Sequence, residues 1–204
     1  MADYFPDLGA KIQMYTDLMV SGFGGQGVLI AGRLLSYAAM RENKHVTFFP
    51  AYGPVMRGGE AHCTVVISTR LIGSPVVRNP LTAIAMNLPS LLSLEPRVKP
   101  GGLLIVNADL AERSHSGRED IKKIFVPANT IAEGIGSGRV ASMVALGAYI
   151  GATGAVSLQS AIICLDKIIT EKHREFLHLD EEALKLGAEF LKKELQISNL
   201  KLQI

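Results

Sequence analysis

Apolar residues fall along this chain in two rhythms, short unbroken runs and longer stretches with a three-to-four-residue repeat. The run 17–21 (DLMVS) ends in glycines and predicts a buried first strand. After GFGGQG, the stretch VLIAGRLLSYAAMREN places Leu29, Ile30, Leu34, Leu35 and Ala38 on one helical face, with Asn43 and Lys44 closing the helix. HVTFF (45–49) predicts the second strand. This strand–turn–helix–strand order opens a doubly wound sheet.

Residues 50–63 hold two prolines and three glycines and predict a loop, long enough to be functional rather than idle. CTVVIS (63–68) predicts a β-branched strand, and TRLIGSPVV a return that would pair with it as an antiparallel hairpin over 63–77. LTAIAM (81–86) predicts a strand, 90–98 a helix, and LLIVN (103–107) another strand. ERSHSGRED has little to bury and predicts a surface excursion. A short strand is expected at 123–127. Residues 140–164 contain no charge, yet the turn at 151–154 and Ser157 as an N-cap favour two buried helices over one membrane span. Asp180 is expected to cap a last helix whose apolar line is Leu184, Gly187, Ala188, Leu191 and Leu195, with Lys192 and Lys193 at its negative end.

The fold class that follows is α/β: a three-layer α/β/α arrangement with a mostly parallel, Rossmann-like sheet and one antiparallel strand pair. Residues 16–204 are expected to form a single α/β domain. Residues 1–15 are expected to be an N-terminal extension, with Met14 or Met19 as an alternative start. The beginning of the chain has neither a basic n-region nor an apolar h-region, which points to a cytoplasmic protein.

Composition narrows the chemistry. Apolar residues make up 48% and charged residues 20% of 204, which excludes disorder as the overall state. A formal charge of +2 gives no basic stripe for nucleic acid. Two cysteines, Cys63 and Cys164, exclude a disulfide scaffold and a cysteine zinc site.

Gly22, Gly24 and Gly27 fit G-x-G-x-x-G between a strand and a helix, where backbone N–H groups and a helix N-terminus can approach an anion closely. The cofactor-binding candidates here are Gly22, Gly24, Gly25, Gln26 and Gly27. NAD is disfavoured, because no acid stands at the end of the second strand to hold the ribose, and Glu42 lies at its other end. No Walker lysine follows. The alternative is that the glycines serve only close strand–helix packing.

The combination GFGGQGVLIAGRLL, FPAYGPVMRGGEAHCTVVIS, IGSP and MNLPSL resembles the gamma subunit of the 2-oxoacid:ferredoxin (acceptor) oxidoreductases. Val55 stands where that family usually has an acid, Leu88 where it has Gln, and Ser142 where Asn is common. Gly53, Pro54, Arg57, Gly58 and Gly59 are intact. The resemblance implies a subunit inactive alone that supports oxidative decarboxylation of a 2-oxoacid (2-oxoglutarate, pyruvate or a branched-chain acid) to acyl-coenzyme A. It implies thiamine-binding alpha and beta subunits and a ferredoxin-like delta subunit, carrying the thiamine diphosphate, Mg²⁺ and iron–sulfur clusters. Ferredoxin or another acceptor takes the electrons. Two cysteines are too few for a cluster of four thiolates. The gamma subunit is expected to pack against the thiamine-binding chains and to help bind coenzyme A; the surface left exposed in the isolated chain would allow a homodimer, and the sequence does not fix that oligomeric state.

Beside the glycine turn, the candidates for coenzyme A are Tyr52, Gly53, Arg57 and Gly58. Arg57 would grip a phosphate or pair with a carboxylate across an interface, and Tyr52 would stack on adenine or anchor a partner. Cys63 and His62 are neighbours on a strand and face opposite ways, so they form no dyad, and a buried cysteine is expected. His45, His115, His173 and His178 show no ligand spacing. Asp109 is expected to cap the next segment, and Lys122 and Lys123 to lie on a solvated face. Two other functions stay open: a free-standing Rossmann-like nucleotide-binding dehydrogenase, and a scaffolding module whose glycines only pack.

Overall fold

The computed structural model describes residues 14–52, 59–168, 174 and 176–201. Its centre is a six-stranded sheet of β1 (Tyr15–Phe23), β2 (His45–Tyr52), β3 (Glu60–Ser68), β4 (Thr82–Ala85), β5 (Leu103–Asn107) and β6 (Lys122–Val126). The order across the sheet is β2-β3-β1-β4-β5-β6. β3 runs antiparallel to both β1 and β2, while β1, β4, β5 and β6 are parallel neighbours.

Strands buried on both faces read as apolar runs rather than alternating ones. Leu18 and Val20 point to one side of β1 and Met19 to the other, and all three are buried. The first side carries α1 (Val28–Arg41), α3 (Ala128–Gly134), α4 (Ala141–Thr153), α5 (Leu158–Ile168) and residues of α6 (Leu177–Lys201). The second side carries α2 (Leu88–Leu94), whose Leu91 and Leu94 pack on Ala83, Ala85, Leu104 and Val106.

The expected antiparallel pair is present, but with other partners. Residues 69–81 form bends with no strand, and Leu71 and Val76 are 86% and 65% exposed. Gly73, Pro75 and Pro80 leave this stretch unable to sustain a ladder. β3 instead slots between β1 and β2. The loop before it is also shorter than the 50–63 expected, because β2 continues to Tyr52 and β3 starts at Glu60. Pro50 is tolerated inside β2 because that strand lies at the sheet edge.

Helix ends follow local chemistry. α1 stops at Asn43, whose φ of 56° turns the chain out of the helix, as asparagine does readily. Ser157 caps α5 through Ser160 N–H, 3.1 Å from its Oγ, and Gly154 (φ 59°) ends α4. The uncharged stretch is thus two helices, and none of the described helices is long and apolar enough to cross a membrane. The last helix begins at Leu177, three residues before Asp180, which therefore lies in its first turn and does not cap it. The helix expected at 90–98 starts earlier, at Leu88. Asn87 Oδ1 accepts Ser90 N–H at 2.9 Å there, and Pro89 fits the first turn.

α4 and α6 pack at backbone distance. A Cβ on Gly147 would strike the Leu184 carbonyl, and one on Gly187 the Val144 carbonyl. On the outer side, the excursion 112–120 is fastened to the end of α2. Glu95 accepts the Ser116 hydroxyl at 2.6 Å and Arg118 N–H at 3.1 Å, and Lys123 lies 3.7 Å away. Lys123 therefore meets a carboxylate, whereas Lys122 is exposed.

Glu42 joins the end of α1 to the start of α5. Its carboxylate takes Lys44 Nζ at 2.7 Å and Ser157 N–H at 2.7 Å. Burial pushes this carboxyl up, but the hydrogen bonds from Lys44, Ser157 and Ser160 together outweigh it and bring it down to about 2. An unfolded Glu titrates near 4.5. The stabilisation is therefore fully present above that value and fades as pH falls through about 2. Glu42→Gln is expected to cost about 1–2 kcal/mol at pH 7. Urea unfolding midpoints should show that difference shrinking between pH 4.5 and pH 2; a gap that stays constant with pH would remove the ionic explanation.

Candidate functional site

The carboxyl ends of β1, β4, β5 and β6 share one edge of the sheet, the usual place for a ligand in an open α/β fold. The glycine turn leaves β1 at this edge. Gly25 has φ 101° and Gly27 φ 75°, so both need the left-handed freedom of glycine. Gly27 occupies the N-cap of α1 with no side-chain cap, and the first turn of α1 holds no acid. Among the described residues none lies within 4 Å of where a Cβ on Gly25 would stand. Gly22 has the opposite role: a Cβ there would meet Gln26 Oε1 and Val28 at 2.8 Å.

Gln26 holds the turn from inside. Its Oε1 accepts Phe23 N–H at 2.7 Å and Asn87 Nδ2 at 2.9 Å. The glycine turn is thus tied to the residue that caps α2, a link across 61 residues that the sequence alone did not disclose. Gly24 N–H donates to Gly59 O at 2.9 Å. That bond brings the end of the second glycine-rich segment against the first. Register agrees: Gly22, Ala61 and Tyr52 stand abreast on β1, β3 and β2. Gly53, Arg57 and Gly58 lie outside the described residues, as does the side chain of Tyr52.

Farther along the edge, Asn107 is fully buried at the end of β5 and donates to Met86 O at 3.2 Å and Asn129 Oδ1 at 2.8 Å. Asp109 accepts Thr130 N–H at 2.9 Å and the Thr130 hydroxyl at 2.7 Å, so it braces the first turn of α3 rather than capping the segment that follows it in the chain. Cys63 is buried under α1, its Sγ 3.5 Å from Val28 O, and burial pushes its thiol up to about 12. It is a packing residue and not a nucleophile. No acid stands along β2 from His45 to Tyr52, and Glu42 is engaged at the opposite end, so the ribose-holding group of an NAD site is missing there. Among the described residues no three His, Cys, Asp or Glu side chains gather as a metal site.

The N–H groups of Phe23, Gly24 and Gln26 are engaged by Gln26, Gly59 and Phe23, which among the described residues leaves those of Gly25, Gly27 and the uncapped start of α1 to meet a phosphate. The family described as pyruvate ferredoxin/flavodoxin oxidoreductase matches residues 17–190, most of the chain and all of this edge. The chain belongs to that family.

This oxidoreductase-family chain is 37% identical over 181 residues to the ketoisovalerate oxidoreductase subunit VorA of Methanothermobacter marburgensis, covering 87% of this chain and 37% of that relative. The chain therefore spans little over a third of the curated relatives it matches first. It resembles the solved gamma subunit of a keto/oxoacid ferredoxin oxidoreductase from Geobacter sulfurreducens with a TM-score of 0.75 and 27% identity, over 87% of this chain and 99% of that one. It shares its fold with 2-oxoglutarate:ferredoxin oxidoreductase from Magnetococcus marinus, solved with 2-oxoglutarate, coenzyme A and succinyl-CoA bound (TM-score 0.79, 22% identity, 88% of this chain and 31% of that one).

Proposed function

We propose that this chain is the gamma subunit of a 2-oxoacid:ferredoxin oxidoreductase and that its glycine turn helps bind coenzyme A. The carrying observation is the uncapped start of α1 behind the left-handed glycines Gly25 and Gly27, in a turn tied to Gly59 by the bond from Gly24 N–H. With the turn held in this way, the N–H groups of Gly25, Gly27 and the first turn of α1 complement the phosphates of coenzyme A, which supplies the thiol that accepts the acyl group. Here Gln26 keeps the turn in shape and Gly22 lets it close down on Met86. Gly53, Arg57 and Gly58 belong to the same proposal through the nearness of Gly59, with Tyr52 entering through strand register. The resemblance assigns the iron–sulfur clusters, thiamine diphosphate and Mg²⁺ to partner alpha, beta and delta chains, and the two cysteines of this chain fall short of the four thiolates a cluster takes. A cytoplasmic location accompanies this reading.

The test is capture of the full chain from its native cell extract, followed by assay of what co-purifies. Thiamine-binding and iron–sulfur chains are expected, together with reduction of ferredoxin that needs both a 2-oxoacid and coenzyme A. Recovery of the chain alone, with calorimetrically measurable NAD(H) binding, would replace this reading with the free-standing dehydrogenase.

A further inference from the structure

We infer that Ser142 is a ligand-binding residue, its hydroxyl donating to an anionic phosphate oxygen seated on the glycine turn between α1 and α4. Ser142 lies in the first turn of α4 and is 3% exposed. Its Oγ makes no hydrogen bond to any described residue. Ser36 Oγ, by contrast, donates to Gly32 O at 2.8 Å, and Ser157 and Ser160 bond to each other at 2.9 Å, whereas buried Ser21 and Ser90 share the lack of a side-chain hydrogen bond. Among the described residues the fully enclosed side-chain atoms without a partner are Asp17 Oδ2, Thr47 Oγ1, Asn107 Oδ1 and Tyr149 Oη, so the Ser142 hydroxyl is not sealed off and an acceptor can reach it.

The direction of the side chain says where that acceptor sits. A Cβ on Gly27 would meet Ser142 Oγ first and Ser142 Cβ only at 3.2 Å, so the hydroxyl points at the residue that starts α1. Two helices of 14 and 13 residues thus present their N-terminal ends to one place. Neither has a side-chain cap, and neither has an acid in its first turn. Two positive helix ends, glycine N–H groups and a hydroxyl donor together call for an acceptor-only anion, and a phosphate ester meets that description. The same contact explains why position 27 holds no side chain: the room is taken by the serine.

The identity of the natural ligand rests on the coenzyme A reading above; the class of anion does not. The experiment uses the full chain, wild type and Ser142→Ala, with inorganic pyrophosphate as probe, read by calorimetry and phosphorus NMR beside thermal melting. Wild type is expected to bind pyrophosphate, and Ser142→Ala to bind it about tenfold more weakly, the effect of one charge-assisted hydrogen bond. Its melting temperature should stay level or rise, since the hydroxyl has no protein partner to lose. Equal affinity in the two proteins, or no binding to wild type, would overturn the proposal. So would a clear fall in melting temperature, which would make the hydroxyl structural. Coenzyme A should displace the pyrophosphate. If it does not, while the Ser142→Ala loss persists, the coenzyme A reading fails and the anion site stands.

Discussion

Gly187→Val is expected to leave little folded protein at 37 °C, and Gly147→Val to do nearly the same. The reason is what each side chain would strike. At both positions the obstacle is the backbone carbonyl of the facing helix, Val144 for Gly187 and Leu184 for Gly147. A side chain can rotate out of the way, but a carbonyl engaged in its own helix can only be displaced by moving the helix. Overpacking a core with movable neighbours costs about 1–3 kcal/mol, and these sites should exceed the upper figure. Domains hold about 5–15 kcal/mol in all, so one such change removes a large share. Fully buried Tyr149, Leu146 and Leu184 lie in the core that would be pried open. Gly134→Ala is the control. It lies in α3 with no described residue within 4 Å of the new Cβ, so it should be neutral or stabilise by up to about 1 kcal/mol. Urea titration of the soluble fractions measures all three; wild-type midpoints for the two valine variants would show that α4 and α6 can separate freely.

Gly27→Ala has the second-largest expected effect, and it has two separable causes. The residue has φ 75°, which costs an L-amino acid about 1–2 kcal/mol. Its new methyl would also collide with Ser142 Oγ. The sum is a loss of about 2–4 kcal/mol. Adding Ser142→Ala removes the collision and leaves the backbone strain, so the double variant should recover part of the loss. A double-mutant cycle by chemical denaturation should give a coupling of about 1 kcal/mol or more. Strict additivity would mean that α1 and α4 do not meet at this point. In the assembled enzyme, Gly27→Ala should raise the half-saturating concentration of coenzyme A more than it lowers the limiting rate.

Much of this fold is legible in the sequence, because its strands are apolar runs and its helix ends carry their own chemistry. β5 and the Gly154–Ser157 break between α4 and α5 follow from neighbours within a few residues. The misread strands all concern pairing. Pro50 looks like the start of a loop until β2 is found at the sheet edge, where a missing N–H is harmless. CTVVIS looks like half of a local hairpin, whereas its partners are β1 and β2, and only the sheet order reveals them. The site divides the same way. The glycine turn is local and so was visible. Asn87 reaching Gln26, Gly59 accepting from Gly24 and Ser142 facing Gly27 each join distant parts of the chain, and no spacing rule records them.

The sheet order also bears on how the chain is made. β1, at the centre, is the first strand to be synthesised, yet its two flanking strands are β3 and β4. A growing chain therefore carries an apolar strand with both edges unpaired until residue 68 has emerged on one side and residue 85 on the other. α1 follows β1 directly in the chain and can shelter one face during that interval, but it contributes nothing to the edges. Of the six strands, the one at the centre of the sheet waits longest for its neighbours during synthesis, and the nascent chain is most open to wrong pairing between the emergence of β1 and that of Ala85.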